Sequence, residues 1–271
     1  MILHHNLFNF ALLLIFLSSF SQGVFSQVGL SVSPPRVFYQ LNPGESGMQK
    51  IVVSNVSKTL PLNLSITFGD WKYDEWGNNQ MFAPDSLPNS CANWLTIGGG
   101  TYLSLKPGDS REIEVTMTVP AQPKDGGTVQ TAMLYVTQMN PADGVDEKGM
   151  AIKVNVRSGV KIYRQGKTPE IKKLEIENLS YDKEKNALDL VFENTGTTWA
   201  NGNVTLSLFH TGTGKEVTID PIRFYTLPGD HRTMALPLRK TLEAGRYTAT
   251  VMLDCGDDTV IEAAELEFSY E

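Results

Sequence analysis

The chain has 271 residues, with 23 Lys and Arg set against 30 Asp and Glu and a formal net charge of −7. That balance argues against nucleic acid as a partner, because phosphate binding needs a basic face. With only two cysteines, the chain carries neither a disulfide framework nor a cysteine-rich zinc module.

Residues 1–26 contain a run from Leu7 to Phe20 that only Asn9, Ser18 and Ser19 interrupt, followed by Val24-Phe25-Ser26. This reads as a cleaved secretory signal. No second long apolar stretch follows, so the mature chain from Gln27 to Glu271 is expected not to be an integral membrane protein. Its length suits two domains of about 120 residues each. The polar, Gly- and Pro-bearing segment Gln165 to Pro169 places them at 27–165 and 166–271. Cys91 and Cys255 then fall in different domains, and two buried thiols are a simpler reading than a bridge across the interface.

Short strands are predicted at Gly29 to Ser33, Arg36 to Gln40, Gln49 to Asn55, Pro61 to Phe68, Tyr102 to Leu105, Arg111 to Val119 and Val129 to Gln138. Turns are expected at Asn42 to Glu45, Lys106 to Asp109 and Lys124 to Gly127. Trp71 to Trp94 carries Trp71, Tyr73, Trp76, Phe82 and Trp94; it reads as a packed crossover between sheets or as an extra contact surface. Then Gly149 to Arg164 forms one long strand. Ile152, Val154 and Val156 alternate with Lys153, Asn155 and Arg157, and after Ser158-Gly159 the strand resumes with Lys161 inside Val160 to Arg164.

Strands in the second half are predicted near Ile171 to Ser180, Ala187 to Asn194, Gly202 to His210, Phe224 to Leu227, Thr233 to Leu238, Gly245 to Leu253 and Thr259 to Tyr270. Gly212 to Lys215 reads as a hairpin turn, and Asp254, Asp257 and Asp258 as a solvated hairpin tip. Short strands at regular spacing give an all-β chain of two Ig-like antiparallel β-sandwich domains.

Little points to chemistry. The mature histidines, His210 and His231, show no His-x-x-His spacing, so no metal site is expected. Gly98-Gly99-Gly100 lacks the Lys-Ser/Thr of a phosphate loop. No cofactor motif occurs, and no nucleophile and base stand at a plausible spacing, so no enzyme is expected.

One resemblance adds to this reading. The row Ile152, Val154 and Val156, followed after a spacer by Lys161 in an Ile-Lys-aromatic-Tyr-Arg-like run, resembles the last first-domain strand of the PapD-like periplasmic chaperones of the usher pilus pathway. Pro35-Arg36-Val37-Phe38-Tyr39 is similar to the same family's first strand. Gln138-Met139-Asn140-Pro141 stands where the family carries Glu-Ile-Pro-Pro, and the second half resembles generic bacterial Ig-like modules instead. The resemblance implies that Arg36 and Lys161 hold the C-terminal carboxylate of a client. It also implies that Ile152, Val154 and Val156 lend the client a missing strand. The expected partner is a secreted β-rich, pilin-like subunit or an outer-membrane assembly protein, met in the periplasm. The open edge also allows self-association. Two rival expectations are a permanent structural subunit of an outer-membrane or secretion assembly, and an extracellular Ig-like adhesion module.

Overall fold

The computed structural model of the chain describes residues 29–123, 127–167, 169–238, 242–256 and 261–271. The expected signal, 1–26, lies outside them. So do Lys124 to Gly126 of one expected turn and Asp257 and Asp258 of the expected acidic tip.

The first half contributes β1 (Leu30–Ser33), β2 (Arg36–Gln40), β3 (Ser46–Asn55), β4 (Leu62–Tyr73), β5 (Asn79–Phe82), β6 (Leu95–Ile97), β7 (Tyr102–Leu105), β8 (Ser110–Thr118), β9 (Val129–Gln138), β10 (Ala142–Val145), β11 (Ala151–Val154) and β12 (Arg157–Gln165). One sheet runs β1-β3-β8-β6. The other runs β2-β12-β9-β4-β5, with β7 also on β4. Between them Ile51, Val53, Leu64, Val115, Leu134 and Ile162 fill one core. The chain changes sheet between β1 and β2 at Pro34-Pro35, two residues with no N–H to commit to either ladder.

The second half contributes β13 (Leu174–Asp182), β14 (Ala187–Asn194), β15 (Ala200–His210), β16 (Glu216–Thr226), β17 (His231–Pro237), β18 (Gly245–Asp254) and β19 (Ile261–Tyr270). Sheets β13-β14-β17 and β16-β15-β18-β19 enclose Leu188, Leu190, Phe192, Leu208, Phe224 and Val251. The chain is therefore all-β and built of two Ig-like sandwiches. The Gly212 to Lys215 turn closes the β15–β16 hairpin, with the Gly214 amide on the His210 carbonyl at 2.9 Å. Among the described residues no disulfide forms; Cys91 is buried and Cys255 half-buried.

Several elements depart from the sequence expectation. β4 runs on through Trp71 to Tyr73, and β16 begins at Glu216, well before the expected Phe224. The single strand expected over 149–164 is two, β11 and β12, with Asn155 and Val156 between them. β11 instead forms a ribbon with β10, and Lys153 pairs there with Asp143. Gln138 ties the ribbon to the sheet, since its amide donates to the Val156 carbonyl at 2.9 Å. Its side chain donates to the Asn140 carbonyl at 2.6 Å.

β9 explains how the site is placed. Nearly every residue from Val129 to Gln138 is buried, as in a strand covered on both faces. Ala132, Leu134 and Val136 face the first core. Met133 and Tyr135 join Trp71, Tyr73, Tyr163 and Leu227 in a second, aromatic cluster on the outer face of the same sheet. Leu227, with Trp199 and Tyr225 packed alongside, comes from the second half. The seam between the two sandwiches is therefore a hydrophobic layer.

The segment after β4 hangs on Asp70, which is fully buried. Its carboxylate accepts from the Ser86 and Leu87 amides at 2.8 and 2.9 Å and from the Ser90 hydroxyl at 2.6 Å. Asp70→Ala strands three donors, and we expect it to lower unfolding free energy by about 3 kcal/mol in a urea titration. Asp70→Asn keeps acceptor capacity and should cost less.

Candidate functional site

Arg36 and Lys161 are brought together by the parallel pairing of β2 on β12, in which they are direct Cα partners. Along β12, Val160 and Ile162 turn into the core, so Lys161 and Tyr163 must face the seam. Lys161 is only 9% exposed. Its ammonium donates to the Tyr73 hydroxyl at 2.9 Å and lies 3.9 Å from the Trp71 ring centroid and 4.1 Å from that of Tyr73. The Arg36 guanidinium sits 4.4 Å from the centroid of Tyr225, and its buried Nε has no hydrogen-bond partner. With Phe38, Tyr73, Tyr163, Trp199 and Tyr225, Arg36 lines a small cavity of about 20 Å³, the room of a single water-sized group.

Burial pushes the Lys161 ammonium down from the usual 10.5 to about 7, helped by the positive charges of Arg36 and Arg232 and opposed by Asp230. Two consequences of opposite sign follow. The unfolded chain holds a proton that folded Lys161 gives up, so unfolding free energy should rise as pH climbs from about 7 towards 10.5. An anion in the seam favours the protonated lysine, so its binding should weaken over the same interval. Urea titrations and anion affinities measured from about pH 6 to about pH 9 check both signs.

The apolar row occupies a different environment. Ile152 is 39% exposed, and Val154 and Val156 are half-buried. In sequence they keep the two-residue spacing of Val160 and Ile162, with β11 giving way to β12 at Asn155 and Val156. β11 pairs only with β10. β2 covers β12 from Lys161 to Gln165, while Arg157 to Val160 are paired only on the β9 side. One edge from Ala151 to Val160 is thus unpaired among the described residues, and it ends at Lys161.

Sequence reasoning did not single out Trp71, Tyr73, Asp230 or Arg232 as parts of this site. The aromatic segment from Trp71 to Trp94 is neither wholly a crossover nor wholly a surface. Trp71 is fully buried, whereas Trp76 is 63% exposed on the β4–β5 turn. One group with metal-ligating atoms, Glu177, Glu193 and His231, gathers on the outside of β13-β14-β17. The imidazole lies 3.4 Å from Glu177 and 3.7 Å from Glu193. No helix among the described residues is long and apolar enough to cross a membrane.

No protein-family model and no curated protein matches the chain. Its fold is similar to that of pilus chaperones among solved structures. A chain of the CsuC–CsuE chaperone–tip adhesion subunit pre-assembly complex, from archaic chaperone-usher Csu pili of Acinetobacter baumannii, aligns with 87% of this chain and 97% of its own at 13% identity and a TM-score of 0.47. A chain of the Salmonella enterica SafA pilin–SafB chaperone complex aligns over 88% and 96% at 13% identity and 0.47. The E. coli chaperone DraB aligns over 90% and 98% at 17% identity and 0.45. Likeness at this level concerns the course of the chain and says nothing of partner or mechanism.

Proposed function

We propose that this protein is a periplasmic, chaperone-like binding protein of two domains, 27–165 and 166–271, which holds β-rich, pilin-like subunits by strand addition and performs no chemistry on them. One observation carries the reading: the edge from Ala151 to Val160, unpaired among the described residues, carries Ile152, Val154 and Val156 and ends at half-buried Arg36 and buried Lys161.

An incomplete client strand laid along this edge satisfies the unpaired N–H and C=O groups, which gives affinity with little demand on sequence. Its alternate side chains meet Ile152, Val154 and Val156, and its C-terminal carboxylate fixes the register. Arg36 faces the cavity and supplies a planar fork; Lys161 adds a point charge through the Tyr73 hydroxyl beside it. The low dielectric of the aromatic seam strengthens both contacts.

The test uses a peptide of about a dozen residues, long enough to span the edge, in which valine alternates with serine up to a free carboxylate. Ile152→Ser/Val154→Ser should weaken its binding by about 3 kcal/mol, since each apolar side chain covered contributes about 1.5–3 kcal/mol. The same pair should leave the melting temperature near that of the wild type, because Ile152 is exposed in the unbound protein. Loss of stability without loss of affinity would contradict the reading. In cells, release of the client after export separates a chaperone from a permanent subunit of a secretion assembly.

A further inference from the structure

The second sandwich presents a cation of its own to this seam. Arg232 is 4% exposed although it lies on β17. There it shares a face with Met234 and Leu236, so the fold has placed a charge at an inward position. Its Nη1 donates to the Asp74 carbonyl at 3.2 Å, and its guanidinium carbon is 5.6 Å from the Tyr73 ring centroid. Its Nε is buried with no hydrogen-bond partner. The turn from Asp74 to Asn78 is shaped to receive it. The Asp74 carboxylate accepts from the Trp76 and Asn78 amides at 3.0 and 2.8 Å, and the Thr233 amide donates to the Glu75 carbonyl at 2.7 Å. At Gly77, where φ is +89°, a Cβ would fall 1.9 Å from Arg232 Nη2; any side chain there would displace the guanidinium.

We propose that Arg232, seated against the Asp74 to Asn78 turn, is a positioning residue for the Lys161 anchor: it holds Tyr73 against the ammonium and completes a cation cluster only when the two sandwiches are docked. This rests on the function proposed above. A turn from the first sandwich and a strand from the second are clasped at this point. Arg232 lies against Tyr73, and Tyr73 accepts from Lys161. Capture of an anion is thereby coupled to the docking of the sandwiches. The charged and titratable groups facing Lys161 are Arg36 from β2, Tyr73 from β4, Tyr163 from β12 itself, Arg232 from β17 and Asp230 from the turn before it. Three cations thus meet the half-buried carboxylate of Asp230, with the Asp74 carboxylate acting on Arg232 from the turn, and the excess is positive.

The experiment follows the ε-methylene resonances of Lys161 through a pH titration of the full chain, beside the affinity for the free-carboxylate peptide. Arg232→Gln removes the charge and the clasp. We expect the Lys161 midpoint to move up from about 7 and the peptide affinity to fall about tenfold. Arg232→Lys keeps the charge without the fork and should restore the midpoint more fully than the affinity. Gly77→Ala, with every charge in place, should weaken binding as Arg232→Gln does. A residue that only packs the seam would change the melting temperature and leave the midpoint where it was; that result overturns the proposal. Failure of the function is distinguishable. If the wild type ignores the peptide while Arg232→Gln still shifts the midpoint, strand addition is wrong and the placement of Arg232 beside the ammonium stands.

Discussion

Arg36→Glu combined with Lys161→Glu is expected to reduce affinity for a carboxylate-terminated client strand by at least about a hundredfold, which is about 3 kcal/mol. Removing one partner of a desolvated charge pair costs about 2–5 kcal/mol, and here both donors would be replaced by repelling charges. The neutral variant Lys161→Met is the sharper instrument. Lys161 is buried against Trp71 and Tyr73 and is held well below its usual range by that burial. Methionine fills a similar volume without a charge to desolvate, so Lys161→Met should raise the melting temperature while it weakens binding. A lysine retained at the expense of stability is what an anchoring role requires. If Lys161→Met binds the peptide as well as the wild type does, Lys161 is a packing residue and the anchor must lie elsewhere.

Trp71→Ala carries the largest expected effect on stability. The indole is fully buried and donates to the Ala132 carbonyl at 2.9 Å. It meets Tyr73 edge-on with ring centroids 5.0 Å apart and Tyr163 at 5.4 Å. Truncation removes that packing, leaves the Ala132 carbonyl without its donor and takes away the ring face beneath Lys161. Phe/Trp→Ala changes in cores cost about 3–5 kcal/mol, and the upper part of that range is expected here. Urea unfolding of Trp71→Ala beside Trp71→Phe checks this, because phenylalanine keeps most of the volume and loses only the hydrogen bond. A loss below about 1 kcal/mol, the level of an ordinary point mutation, would mean that the aromatic layer does not bind the first sandwich to its neighbour.

The parts legible in the sequence were those with a strict two-residue period. Val160-Lys161-Ile162-Tyr163 alternates between two faces, and from that alternation Lys161 could be separated from the core side. β9 was legible as a strand, but its run Ala132-Met-Leu-Tyr-Val also records a covered outer face, and that signal points to the seam. Tyr73 lies beyond the strand that the sequence predicts to end at Phe68; β4 runs on because Trp71 and Tyr73 have a second apolar layer to enter. Arg232 had a weak signature, a charge in register with Met234 and Leu236. Its meaning depends on Gly77, 155 positions earlier in the chain, and no local pattern carries such a contact. The break between β11 and β12 falls where the partner strand changes from β10 to β9, again a tertiary matter.

The most direct test compares two peptides, identical in their alternating valine and serine residues, one ending in a free carboxylate and the other in an amide. Strand addition with carboxylate anchoring predicts that the free acid binds at least about tenfold more tightly, that its advantage fades as pH rises above about 7, and that both peptides protect the Ala151 to Val160 amides from exchange. Equal binding of acid and amide, or protection that appears elsewhere in the chain, would contradict the account.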